Sequence, residues 1–168
     1  MRTLQEGDLI FDFSSYEKYE RFDCETLHGN KSDMKKVDFI LESENKHIFL
    51  EVKDPDVPEA ANVEKFKRAL NDGSFVRELA GQYRDSLLFS MLRGSLTKPI
   101  SYIVLLSMEK LDDALVLHKI DELKKAIPIT HKRWKNDSAA SCTILKLDKY
   151  KEVFGDGSVW RASDYEDQ

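Results

Sequence analysis

The chain has 168 residues, 41% hydrophobic and 34% charged, with 26 Lys and Arg against 31 Asp and Glu. That length and balance suit one soluble globular domain over residues 1–168 and exclude a disordered chain. A net charge of −5 argues against a generic nucleic-acid coat, but not against a nucleic-acid enzyme, where local charge matters more than the total.

The N-terminal residues 1–25 are acidic, and Ser14 or Ser15 can cap a short helix over Ser14–Glu20. Arg21–Leu27 alternates and is predicted as a strand, and Gly29–Ser32 as a turn. Val37–Leu41 and His47–Lys53 are the clearest strands, with the polar stretch Glu42–Lys46 as their hairpin loop. Pro55 and Pro58 stop the second strand, because proline cannot donate to a ladder. Ala60–Leu70 is predicted helical. A longer helix over Phe75–Leu92 follows, with Ser74 as its cap, a buried stripe of Phe75, Leu79, Tyr83 and Leu87, and Gly94 as its stop. Ile100–Leu106 is a continuous apolar run, too short to cross a bilayer and suited to a central strand covered on both faces. Asp112 or Asp113 caps a helix to about Ile127, with Val116, Ile120, Leu123 and Ile127 as its stripe. Cys142–Leu147 reads as a late strand, and Ser163–Gln168 as a polar, frayed tail. The fold class is therefore mixed α/β around an antiparallel hairpin, with a central sheet of about four to five strands flanked by helices. Cys24 and Cys142 are far apart, no apolar signal stretch opens the chain, and the expected setting is the reducing cytoplasm.

The residues that carry chemistry lie on the hairpin. An acid-x-Lys triplet is weak alone: 31 acids and 18 lysines in 168 residues give roughly three by chance, and the chain has four. Only Glu51-Val52-Lys53 ends an apolar strand. If the hairpin turns about Glu44-Asn45, paired positions sum to 89, and Asp38 falls opposite Glu51. Lys53 shares their face. Val37, Phe39, Leu41, Ile48, Leu50 and Val52 share the other, which is expected to pack on a helix. Carboxylates directly opposite each other repel, and a divalent cation reverses that sign. Hard oxygen ligands on a rigid strand pair suit Mg²⁺ or Mn²⁺ rather than zinc. The competing reading is a salt-bridged, solvated face.

Asp38, followed thirteen residues on by Glu51-Val52-Lys53 across a short hairpin, resembles the PD-(D/E)XK nuclease superfamily. The resemblance covers about residues 12–107, with the helix and strand of residues 111–154 appended. It implies a restriction endonuclease-like fold and a Mg²⁺-dependent nuclease acting on DNA, with a role in phage defence, restriction or mobile-element biology. Asp38, Glu51 and the Val52 carbonyl would hold the metal, and Lys53 would be the catalytic lysine. Val37 stands where the motif's proline would be. Many members add an acid from the first helix, for which Asp12, Glu17 and Glu20 are candidates, Glu17 being favoured as site support. Gln82 is expected to approach the site, but Tyr83 beside it and Ser86 four residues on depart from the RecB-like pattern. The alternative is a catalytically silent relative serving as a binding or assembly subunit, for which absence of a first-helix acid would argue. A homodimer or a partner protein is expected, with no membrane.

Lys124, Lys125, His131, Lys132, Arg133 and Lys135 form an acid-free basic stretch around Trp134, a candidate phosphate-contacting surface with a stacking aromatic. His47 falls on the Asp38 face at the far end of its strand and reads as a turn-flanking residue. No Gly-rich phosphate loop or nucleophile elbow is present, which argues against an NTPase, a dinucleotide enzyme and a serine hydrolase.

Overall fold

A computed structural model describes residues 2–29, 32–56 and 63–166. Two sheets and a set of helices make up a mixed α/β architecture. The larger sheet has five strands in the order β3 (Lys18–Arg21), β4 (Phe39–Glu42), β5 (His47–Lys53), β6 (Ile100–Leu106) and β7 (Ser141–Lys146). The β3–β4 and β4–β5 pairs are antiparallel, while β5–β6 and β6–β7 are parallel. The smaller sheet joins β1 (Thr3–Glu6), β2 (Leu9–Asp12) and β8 (Val159–Arg161), all antiparallel.

Alternation along β6 explains why it is central. Ile100, Tyr102, Val104 and Leu106 enter one apolar cluster, and Ile103 and Leu105 the other. A strand with two buried faces must be apolar throughout, as the sequence predicts. The helices α2 (Val63–Asp72), α3 (Ser74–Arg93) and α4 (Asp113–Ala126) cover the face of Phe49, Tyr102 and Val104. The opposite face, with Phe39, Leu41, Ile48 and Leu50, packs on Leu9, Phe11 and Val159 of the small sheet and on Tyr150 of α5 (Leu147–Phe154). Each large side chain buried this way contributes about 1.5–3 kcal/mol.

Several sequence expectations are corrected. The apolar hairpin face meets a second sheet and α5, whereas the helices cover the face carrying Glu51 and Lys53. That face is itself apolar over Ile40 and Phe49, so it needs a cover, and its polar groups sit at the two ends. Ser14–Glu20 is not helical: Asp12 accepts hydrogen bonds from Ser14, the chain turns, and β3 begins at Lys18. Arg21–Leu27 is not a strand. Arg21 ends β3, and a one-turn helix, α1 (Glu25–His28), follows. The α3 cap position is Gly73 at φ 77°, not Ser74. The left-handed turn there lets α3 follow α2 after a single residue. The tail forms a short helix, α6 (Ser163–Glu166), anchored where Ser163 donates to Asp8. Strands β1, β2 and β8 and helix α5 were not anticipated. Asn30 and Lys31 of the expected turn, Val57 and Pro58 of the strand stop, 60–62 of the expected helix and Asp167 and Gln168 of the tail lie outside the described residues.

Other expectations agree. β5 spans His47–Lys53, β6 spans Ile100–Leu106, and β7 lies within a residue of its predicted bounds. Asp112 caps α4 through Ala114 N–H, and Gly94 closes α3 in the left-handed region. Among the described residues, no helix is long and apolar enough to cross a membrane.

Candidate metal and phosphodiester site

The hairpin register is the one the sequence predicts. Phe39 pairs with Leu50, Leu41 with Ile48, and Glu42 with His47. The ladder ends at Phe39, one residue short of Asp38, for a definite reason. Were it to continue, Val37 would lie opposite Val52. Instead Val37 N–H donates to Ser86 Oγ of α3 at 3.0 Å, and Val52 N–H donates to Asp38 Oδ2 at 2.7 Å. Asp38 thus replaces a ladder acceptor, which brings its carboxyl to the end of β5. The same departure carries Val37 into the helix-side cluster rather than the opposite face.

Glu51 is 1% exposed and Asp38 is 9% exposed. Glu51 Oε1 receives two donors, Gln82 Nε2 at 2.7 Å and Lys53 Nζ at 2.9 Å. Glu51 Oε2 is buried without a hydrogen-bond partner among the described residues, as is Gln82 Oε1. Lys53 Nζ also reaches Glu78 Oε1 at 2.8 Å. The structure therefore brings together Asp38, Glu51, Val52, Lys53 and Gln82.

Burial governs the protonation of this group. It raises the Asp38 carboxyl far above the usual range, and the neighbouring Glu51 charge adds to the rise. Burial raises Glu51 too, partly offset by the attraction of Lys53 and by its hydrogen bond with Gln82. For Lys53, burial pulls downward, but Glu51 and Glu78 outweigh it and keep the ammonium charged. Lys53 thus serves Glu51 and Glu78, Asp38 has no ion pair among the described residues, and one Glu51 oxygen stays unpartnered there. A hard divalent cation fits that donor set.

Two further acids, Glu6 and Asp23, approach Asp38 from an unexpected direction. Carboxylate oxygens of Glu6, Asp23 and Asp38 lie within 4.8 Å of one another. Arg21 partly neutralises them, at 2.6 Å from Glu6 and 3.6 Å from Asp23.

The first-helix candidates are not at the site. Glu17 pairs with Lys98 at 3.1 Å, and its N–H donates to Glu42 O, at the opposite end of the hairpin. Glu20 pairs with Arg93 at 2.8 Å, and Asp12 is held by Ser14. His47 is buried at that same far end, where its Nε2 accepts from Thr97 N–H at 3.2 Å. Lys124, Lys125, Lys132, Arg133, Trp134 and Lys135 are exposed but also remote. α4 ends beside the start of β7, where Ser141 pairs with Ser101, whereas Lys53 pairs with Leu106 at the other end of β6.

Sequence reasoning missed Glu78, Ser86, Glu6 and Asp23. Glu78 and Ser86 had a signal: with Gln82 they recur at four-residue spacing, one position before Leu79, Tyr83 and Leu87. A strap of side chains fixes the strand beyond the site. Arg161 donates to both oxygens of Asp54 at 2.9 Å, to Asp8 at 3.1 Å and to Ser107 at 2.7 Å. Comparison of the chain with protein-family models, with curated proteins and with solved structures finds no match.

Proposed function

We propose that the protein is a metal-dependent nuclease that hydrolyses phosphodiester bonds in DNA with Mg²⁺ or Mn²⁺, on a restriction endonuclease-like fold. One observation carries the reading. Asp38 and Glu51 are buried together at the end of the β4–β5 hairpin, and Glu51 keeps an oxygen that no group among the described residues satisfies. Burying like charges is costly without a counter-charge, and here Lys53 answers Glu51 and Glu78 while Arg21 answers Glu6 and Asp23 beside Asp38.

In this reading Asp38, Glu51 and the Val52 carbonyl hold the cation. When bound, it supplies Lewis-acid polarisation of a phosphate and an acidified water. The chain's own groups do the rest. Val52 N–H fixes Asp38, and Gln82 fixes Glu51, so both carboxylates are oriented in advance. Lys53 offers a charged donor to the negative charge that grows on the phosphate. Glu78 holds that ammonium in place beside Glu51.

A silent binding or assembly subunit is the second reading. It is favoured by the lack of a first-helix acid, since Ser14–Glu20 forms no helix and Glu17 lies elsewhere. Against it, Asp38, Glu51 and Lys53 are all present and adjoining.

Plasmid nicking with Mg²⁺, Mn²⁺ or EDTA separates the two, alongside D38A and K53A. The nuclease reading expects metal-dependent cutting lost in both variants. K53A should fall by about a hundredfold or more while still binding Mn²⁺ in calorimetry, whereas D38A loses both. Absence of cutting and of Mn²⁺ uptake by the wild type would sink it.

A further inference from the structure

Next to the carboxylates is an open cleft of about 440 Å³ lined by Lys35, Lys36, Ser74, Arg77, Glu78 and Gln82. Its floor is the metal site's outer wall, since Gln82 contacts Glu51 and Glu78 contacts Lys53. Its rim is basic. None of Lys35, Lys36 and Arg77 forms an ion pair with any of the described residues, although Glu78 stands among them.

The position of Lys35 is built rather than incidental. Its N–H donates to Asp85 at 2.9 Å, which ties the segment before Asp38 to α3. Its stem crosses Gly81, where a Cβ would meet Lys35 Cδ at 2.9 Å and stand 3.5 Å from Nζ. Glycine in mid-helix costs about 0.5–1 kcal/mol relative to alanine. Here it lets the lysine stem lie flat on the helix, with its ammonium one residue from Gln82. A chain at −5 repels polyanions at long range, so an anion site must concentrate its cations locally.

We propose that the Lys35–Lys36–Arg77 cleft binds the phosphate backbone of the DNA strand adjoining the Asp38–Glu51 site. This deepens the nuclease reading and rests on it. Ser74 adds a neutral donor, and the remote Lys132–Lys135 stretch plays no part. Backbone contacts of this kind set affinity and register without reading sequence.

The test is fluorescence anisotropy of a short dye-labelled DNA duplex and of its single strand, with Ca²⁺ in place of Mg²⁺, over a series of salt concentrations. The triple variant K35A/K36A/R77A should bind about tenfold more weakly or worse and lower the salt slope by about one per side chain removed. K132A/R133A/K135A should match wild type. G81A, which changes no charge but displaces the Lys35 stem, should weaken binding in the same direction by a smaller factor. Far-ultraviolet melting and Mn²⁺ calorimetry of the triple variant, both expected unchanged, show that it is folded and that its metal site is intact. Equal affinity and slope in wild type and triple variant overturn the proposal. So does loss in K132A/R133A/K135A instead, or a wild type with no salt-dependent binding of either probe. The parent reading fails separately: a wild type that binds DNA through the cleft yet takes up no Mn²⁺ leaves the cleft standing and removes the nuclease.

Discussion

The two ends of the β4–β5 hairpin use the same residue types to opposite effect. At the loop end, Glu42 meets Lys18 at 3.1 Å and Lys98 at 2.9 Å, with Glu17 also on Lys98. Hydrogen bonds from Lys98 and Lys18 hold the Glu42 carboxyl down at about 2. At the other end, Asp38 and Glu51 are buried beside Glu6, Asp23 and Glu78, a group of acids that outnumbers Lys53 and Arg21, and are pushed upward. Balance at the first end makes a clasp. Imbalance at the second is what the proposed cation would relieve. The lesson is that acid-lysine composition says little; burial and the ratio of charges decide between structure and chemistry.

The largest expected effect breaks the imbalance directly. Both carboxyls ionise near 4 in an unfolded chain, but keep their protons to higher pH in the fold. Between those limits the native state binds more protons, so its stability falls as pH rises. Asparagine at 38 can still accept from Val52 N–H and carries no charge. D38N should therefore stabilise the metal-free protein by about 1–4 kcal/mol near pH 8 and by almost nothing near pH 4. Urea denaturation at the two pH values measures this, and an equal effect at both would refute it. Saturating Mn²⁺ should reverse the order near pH 8, because only the wild type gains binding energy.

A smaller effect sharpens the account of how Asp38 is placed. S86A removes the acceptor of the buried Val37 N–H. It should cost about 1–3 kcal/mol in stability, with activity lost through displacement of Asp38. S86T, which keeps the hydroxyl, should recover part of both. Retained activity in S86A would show that Asp38 is held without this bond.

The smallest effect is expected at the clasp. K98A should change stability by less than about 1 kcal/mol and leave cutting and Mn²⁺ binding as in wild type. A large loss of activity there would erase the distinction between the two ends.

How much of this was legible in the sequence follows from element length and from what each residue contacts. β6, seven residues long and apolar throughout, had the length and pattern that suit a covered strand. The hairpin register followed from a polar loop between two clear strands, and with it the meeting of Asp38 and Glu51. α3 and α4 had stripes and stop signals. The small sheet was opaque because its strands are three or four residues long, too short for alternation to stand out. β3, Lys18-Tyr19-Glu20-Arg21, lies at a sheet edge and carries charges, so it resembles a loop or a helix. Glu6 and Asp23 reach Asp38 only through pairings made far along the chain, which no local pattern encodes. The basic stretch of Lys124–Lys135 was conspicuous as a run, yet the cations beside the site are scattered over Lys35, Lys36 and Arg77.

The strap formed by Arg161 has a consequence for how the molecule comes into being. β8 pairs with β2 across about 150 residues of chain, with Phe11 opposite Val159. Loops of that length close late, after local helices and the β4–β5 hairpin have formed. During synthesis the exposed face of Phe39, Leu41 and Leu50 therefore waits for Val159 to leave the ribosome, and Asp54, next to Lys53, waits for Arg161. The segment that leaves β5 just after Lys53 is thus pinned by a residue more than a hundred positions further on, so its final anchoring belongs to a late stage of folding.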